Sequence, residues 1–144
     1  MLLSREPSTM RRRRSGHIVN ITSMGGLVTV PGLSFYNGSK FALEGISESL
    51  GKEVAGLGIF VTAVEPGSFR TDWAGRSMLR AQRSIADYDA VFDPIRRARE
   101  ERNGRQPGDP ALAALAILKM IAAKQPPAHL FLGSDAHKVV RHHS

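Results

Sequence analysis

Three short stretches of the chain are almost continuously apolar and rich in β-branched residues: HIVNIT (17–22), IFVTAV (59–64) and AHLFL (128–132). Each is bounded by glycine or proline, as strands are. Near-continuous apolar character, in place of strict alternation, suits parallel strands buried on both faces. Between the first two, Phe35, Leu43, Ile46, Leu50 and Val54 recur at helical spacing and predict a helix over 35–55, with Ser34 as its N-cap. Gly38, Gly45 and Gly51 weaken that helix intrinsically and leave room for a closely packed partner. Gly56 and Gly58 end it, and strand, helix and strand form a βαβ unit.

The rest of the pattern is helical. In residues 1–16, Arg11–Arg14 precede Gly16, and basic residues in a last turn complement the helix dipole, so a helix remnant ending near Arg14 is predicted. Glu65-Pro66-Gly67 closes the second strand, and Thr71 and Asp72 are placed to cap the next helical segment. Residues 73–103 are charged, with mixed helical spacing, and Pro94 divides them into two helical pieces with a hinge. The excursion over 73–105 has the length of a lid, and Trp73 is placed to line a pocket or anchor that lid. Asp109-Pro110 is an N-cap and N1 pair opening a helix over 111–123, apolar nearly all round and so expected to be buried. Pro126-Pro127 stops it, and residues 133–144 are expected to form a short, partly ordered tail. The order of elements predicts one α/β domain over 1–144 with about three parallel strands.

Composition narrows the function classes. The absence of cysteine excludes disulfides, thiolate metal sites and thiol nucleophiles, and fits a cytoplasmic location. The net charge of +7 invites a nucleic-acid partner. However, the arginines lie among acids and few aromatics interleave them, so a solvated surface is the better account and no nucleic acid is expected. No apolar run reaches the length of a membrane span, and no membrane partner is expected. Arg11–Arg14 reads as a solvated helix end, not an address signal. His17 and His129 are expected to be packed or hydrogen-bonded. His137, His142 and His143 crowd the end of the chain without carboxylates at ligand spacing, so no metal site is assigned.

The chemistry concentrates in Ser23–Lys40, SMGGLVTVPGLSFYNGSK. Ser23 follows the first strand, where open α/β sheets gather their functional groups. The loop after it is apolar (Leu27, Val28, Val30) and suits a pocket wall. Tyr36 and Lys40 stand at i and i+4, on one helix face. A phenol alone is too weak an acid to work well near neutrality, and an ammonium one turn away favours the phenolate. A serine hydroxyl beside them is placed to hold a carbonyl oxygen. The set suits proton exchange at a carbonyl while hydride moves at carbon, which requires a nicotinamide cofactor.

In order and spacing, GHIVNITS, YNGSK, KFALEGISESLGKE and VEPGSFRTD resemble the classical short-chain dehydrogenase/reductase family, from about Arg11 to about Asp135. The resemblance implies a doubly wound, Rossmann-type α/β fold and an NAD- or NADP-dependent oxidoreductase acting on a small carbonyl or alcohol. It implies catalytic roles for Ser23 as carbonyl orienter, Tyr36 as proton donor or acceptor, and Lys40 as tuner of the tyrosine and holder of the nicotinamide ribose. Tyr36, Lys40, Pro66, Gly67 and Thr71 would contact the cofactor. It also implies a homo-oligomer, with residues 35–55 at an interface.

The departures are equally plain. The family's strand, TGxxxGxG turn and helix, its adenosine-ribose selector and its NNAG strand have no counterpart in the sequence. The catalytic asparagine of the preceding helix has none in residues 1–16. The expectation is therefore a partial Rossmann-type fold lacking the N-terminal glycine-rich half, with cofactor binding impaired and an exposed first-strand edge prone to association. Two readings stay open: an NAD(P)-dependent oxidoreductase, or a truncated, catalytically inactive form serving at most as an association module.

Overall fold

The computed structural model describes residues 6–75, 77–79, 82 and 85–143. Its elements are α1 (Glu6–Arg13), β1 (Gly16–Ile21), α2 (Ser34–Val54), β2 (Ile59–Pro66), α3 (Asp89–Arg102), α4 (Pro110–Ile121), β3 (His129–Leu132) and α5 (Ser134–His143). The strands form one three-stranded parallel sheet in the order β1-β2-β3. β1 pairs with β2 from Gly16–Ile59 to Ile21–Val64, and β2 with β3 from Ala63–His129 to Pro66–Leu132. This is the parallel α/β arrangement the apolar runs predict, and the Rossmann-type fold the resemblance implies.

Alternation along β2 divides the core between two faces. Ile59 and Val61 pack on one side with Leu50 and Val54 of α2, joined by Met10, Ile18 and Leu57. Val64 points to the other side, against Met120 of α4 and Leu132 of β3. The central strand is thus the most deeply buried part of the chain, and its carboxyl end is held in place by helices on both faces.

Tight turns set the crossover. After α2 and a 3-10 turn at Ala55–Leu57, Gly58 takes φ 69°. A Cβ there would lie 2.3 Å from the Arg14 carbonyl oxygen, so both the dihedral and the space require glycine. At the end of α1 it is Arg14, not a glycine, that adopts the left-handed conformation (φ 53°), while Gly16 already opens β1.

Several local expectations are corrected. β1 is half-buried rather than buried on both faces, because it lies at the edge of this sheet. Ser34 is the first residue of α2; Leu33 holds the N-cap position without a side-chain hydrogen bond. Phe35 is 96 % exposed, and the buried face of α2 is Asn37, Ser47, Leu50 and Val54. Gly38 and Gly45 face open space, and only Gly51 approaches a partner, Val61. α4 is not buried all round: Ala113, Ala116, Ile117 and Met120 face the core, while Leu112, Leu115 and Leu118 are exposed. Pro94 does not divide the excursion into two helical pieces there: it is the sixth residue of α3, which runs on through it without its N–H. Residues 134–143 form a helix where a partly ordered tail was expected. Residues 76, 80, 81, 83 and 84 of the expected lid over 73–105 lie outside the described residues.

Other expectations hold. Asp109 caps α4 by accepting from the Ala111 N–H at 2.8 Å, with Pro110 at N1. His17 Nε2 lies 2.8 Å from Thr62 Oγ1. Because Thr62 donates to the Pro127 carbonyl (2.6 Å), the imidazole must be the donor in that pair. His129 is also hydrogen-bonded, its Nδ1 lying 2.7 Å from Glu65 Oε1.

Candidate functional site

The parallel register brings the carboxyl ends of β1 and β2 side by side, with the Thr22 N–H donating to the Val64 carbonyl at 2.8 Å. Ser23 therefore leaves β1 next to the point where Pro66 and Gly67 leave β2. Directly after Ser23 the chain makes a 3-10 turn over Met24–Gly26, and Ser23 Oγ accepts the Gly25 N–H at 3.0 Å. The seryl oxygen is thereby anchored as an acceptor, and its own O–H remains available to donate.

Tyr36 reaches the same turn from the first turn of α2. A Cβ at Gly25 would lie 2.9 Å from Tyr36 Cε1 and 3.4 Å from Ser23 Oγ. The phenol ring and the serine thus flank one glycine, and only a residue without a side chain lets the ring approach. Lys40 stands one helical turn further on. Its Nζ donates to the Ile21 carbonyl at 3.0 Å and sits 5.9 Å from the Tyr36 ring centroid, within cation–π range. That bond uses one of three ammonium protons. The three groups singled out in the sequence are therefore gathered at one end of the sheet.

The β2 side is built by a second set of contacts. Gly67 N–H donates to the Leu132 carbonyl at 2.8 Å, and Ser68 N–H to Asp135 Oδ2 at 2.7 Å. Arg70 pairs with Asp109 at 3.2 Å and donates to the Gln106 carbonyl, tying this loop to the start of α4. Thr71 Oγ1 accepts the Trp73 N–H at 3.4 Å, so Thr71 rather than Asp72 caps the short turn Asp72–Ala74. Trp73 then packs on Tyr36, with ring centroids 5.4 Å apart. Through Trp73 the Thr71 segment closes against the tyrosine, whereas Thr71 itself remains at the exposed rim.

Asn37 was not singled out from the sequence. It is 4 % exposed, donates through Nδ2 to the carbonyls of Gly25 (2.7 Å) and Val28 (3.1 Å), and accepts from the Val30 N–H (3.3 Å). It fastens the loop after Ser23 to the helix turn that carries Tyr36. Its only sequence signal is a polar residue in the first turn of a helix beside a glycine-rich loop. Asp135, which holds the Ser68 N–H, was missed because residues 134–143 were not expected to be helical.

Residues 2–81 match the family described as short chain dehydrogenase. Oxidoreductase BOA17 of Botryotinia fuckeliana is 39% identical over 127 residues, covering 88% of this chain and 46% of that protein. The 3-ketodihydrosphingosine reductase of Bacteroides thetaiotaomicron is 40% identical over 121 residues, covering 82% of this chain and 44% of that protein. The chain spans about half the length of these curated relatives. A short-chain dehydrogenase from Streptomyces avermitilis, of known crystal structure, superposes with a TM-score of 0.79 at 39% identity, over 95% of this chain and 48% of that one. With the parallel sheet and the cluster at its carboxyl end already in place, these matches identify the chain as a member of the short-chain dehydrogenase family.

Proposed function

We propose that the chain is an NAD- or NADP-dependent oxidoreductase that interconverts a small-molecule carbonyl and the corresponding alcohol. The observation that carries this reading is the convergence of Ser23 and Tyr36 on Gly25, with Lys40 beside the ring. The residues fit the nicotinamide end of a dinucleotide: an ammonium with two protons unspent on Ile21, a phenol, and the backbone of Pro66–Gly67 beside them at the strand ends. Lys40 and Tyr36 would hold the ribose, Pro66 and Gly67 the ring, and Thr71 its carboxamide or the adjoining phosphate. When bound, the nicotinamide supplies or accepts the hydride.

The chain's own residues handle the oxygen. Ser23 Oγ, anchored by the Gly25 N–H, turns its hydroxyl proton toward the substrate oxygen and orients it. The Tyr36 hydroxyl gives that oxygen a proton in reduction and takes one in oxidation. Lys40 places positive charge at the ring as negative charge develops on the phenol oxygen. Trp73 covers the ring from the other segment and limits access of water.

We place the protein in the cytoplasm, which the lack of cysteine supports. Among the described residues, no helix is long and apolar enough to cross a membrane. Self-association is supported by the edge position of β1 and the exposed leucines of α4. The function is tested by following oxidation of NADH and NADPH against a panel of aldehydes and ketones. Tyr36→Phe should lower turnover by about 10²-fold or more; turnover unchanged by that substitution would sink the assignment.

A further inference from the structure

Glu44 of α2, Glu65 of β2 and His129 at the start of β3 meet between the helix and the sheet, far apart in sequence. One ligand atom from each lies within 4.8 Å of the others. Glu65 is wholly buried. His129 Nδ1 lies 2.7 Å from Glu65 Oε1 and 3.9 Å from Glu44 Oε2, and the Leu130 N–H donates to Glu65 Oε2 at 3.0 Å. Glu44 is different. Both its carboxylate oxygens are shut off from solvent, each exposing less than 1 Å², and neither has a hydrogen-bond partner among the described residues. A buried carboxylate that faces a second carboxylate and one imidazole, with no hydrogen bond of its own, is costly. A protonated imidazole brings one positive charge for two acids.

We propose that Glu44, Glu65 and His129 form a binding site for a divalent first-row cation of the zinc type, clamping α2 to β2 and β3. The donor set is one imidazole nitrogen and two carboxylates, which suits zinc; calcium and magnesium call for a fuller shell of oxygens. Two carboxylates match the charge of the ion. Bonds of about 2.0–2.2 Å around a tetrahedral ion set ligand atoms roughly 3.3–3.6 Å apart, so Glu44 must draw in from 3.9 Å while the ion replaces the 2.7 Å hydrogen bond between His129 and Glu65 and opens that pair. His129 keeps 42% of its side chain exposed, which leaves an entry path. The clamp bears on the site described above without depending on its chemistry. Glu44 follows Lys40 by one helical turn, and its Cγ abuts the face of Gly26 where a side chain would stand.

The test is calorimetric titration of the full chain with Zn²⁺ alone, in a buffer that does not bind metal. The wild type should take up one tightly bound equivalent at roughly micromolar affinity. Glu44→Gln, which removes a buried charge at nearly constant shape, should fold and weaken that equivalent by about tenfold or more. His129→Gln should do the same, so the result does not rest on one variant. A chain with His137→Ala, His142→Ala and His143→Ala should keep its equivalent. The proposal is overturned if the wild type binds no more tightly than millimolar. It is equally overturned if Glu44→Gln binds as the wild type does, or if the equivalent disappears with the three C-terminal histidines.

Discussion

Replacing Asn37 by alanine removes the brace between the loop after Ser23 and the first turn of α2. The carbonyls of Gly25 and Val28 and the N–H of Val30 then lose their partner together. A hydrogen bond of this kind contributes about 1 kcal/mol net, and a buried group left unpaired costs about 1–3 kcal/mol. The loop rim can take up some water, so the expected loss is about 2–4 kcal/mol in all. With a urea dependence of about 2 kcal/mol per molar, the unfolding midpoint should fall by about 1–2 M. Trp73 is the chain's only tryptophan and packs on Tyr36, so its fluorescence reports on this corner directly. Asn37→Asp sharpens the test. It places an oxygen where Nδ2 faces two carbonyl oxygens, and should cost at least as much as alanine. A loss below about 0.5 kcal/mol for Asn37→Ala, the ordinary range for a surface change, or an aspartate tolerated better than alanine, would show that Asn37 is no such brace.

Three further outcomes are expected from other parts of the fold. Gly58→Ala should destabilise by well over 1 kcal/mol, because strain at φ 69° adds to a clash with the Arg14 carbonyl; Gly104→Ala, with φ 78° but open space around it, should cost only about 1 kcal/mol in the same denaturation assay. Asp109→Ala should lose the α4 cap and the Arg70 ion pair at a cost of about 1–2 kcal/mol, and Asp109→Ser should recover most of it. Burial holds His17 below its ordinary pKa of 6.5, so the neutral ring is the one the fold prefers. Its contribution is present above pH 6.5 and lost as pH falls through the lowered folded value. The stability difference between wild type and His17→Gln, measured across pH 4–8 by denaturant titration, should therefore shrink on the acid side; a difference that grows on acidification would contradict this.

What could be read from the sequence was what depends on local pattern. The three strands, the long helix and the Asp109-Pro110 start are set by β-branched runs, helical spacing and capping chemistry within a few residues. That Ser23, Tyr36 and Lys40 would meet at one end of the sheet was legible because strand ends and i, i+4 spacing already fix where such side chains point. Expectations failed where a distant partner decides. Nothing near Phe35 says that its side of α2 is left uncovered. The leucines of α4 look like core until the sheet is seen to meet only the Ala113, Ala116 and Met120 face. Asn37 and the meeting of Glu44, Glu65 and His129 depend on contacts between separate elements, which periodicity does not encode.

The proposed nicotinamide site lies at the carboxyl ends of β1 and β2 and is served by Ser23, Tyr36 and Lys40. Its most direct test is a nitrogen–proton correlation NMR titration of the chain with reduced nicotinamide mononucleotide, which presents the nicotinamide half of the cofactor alone. Saturable shifts are expected, concentrated at Ser23–Gly26, Tyr36–Lys40 and Gly67–Thr71, with binding weakened about tenfold or more by Lys40→Met. Shifts elsewhere in the chain, shifts indifferent to Lys40, or none at millimolar ligand would contradict it.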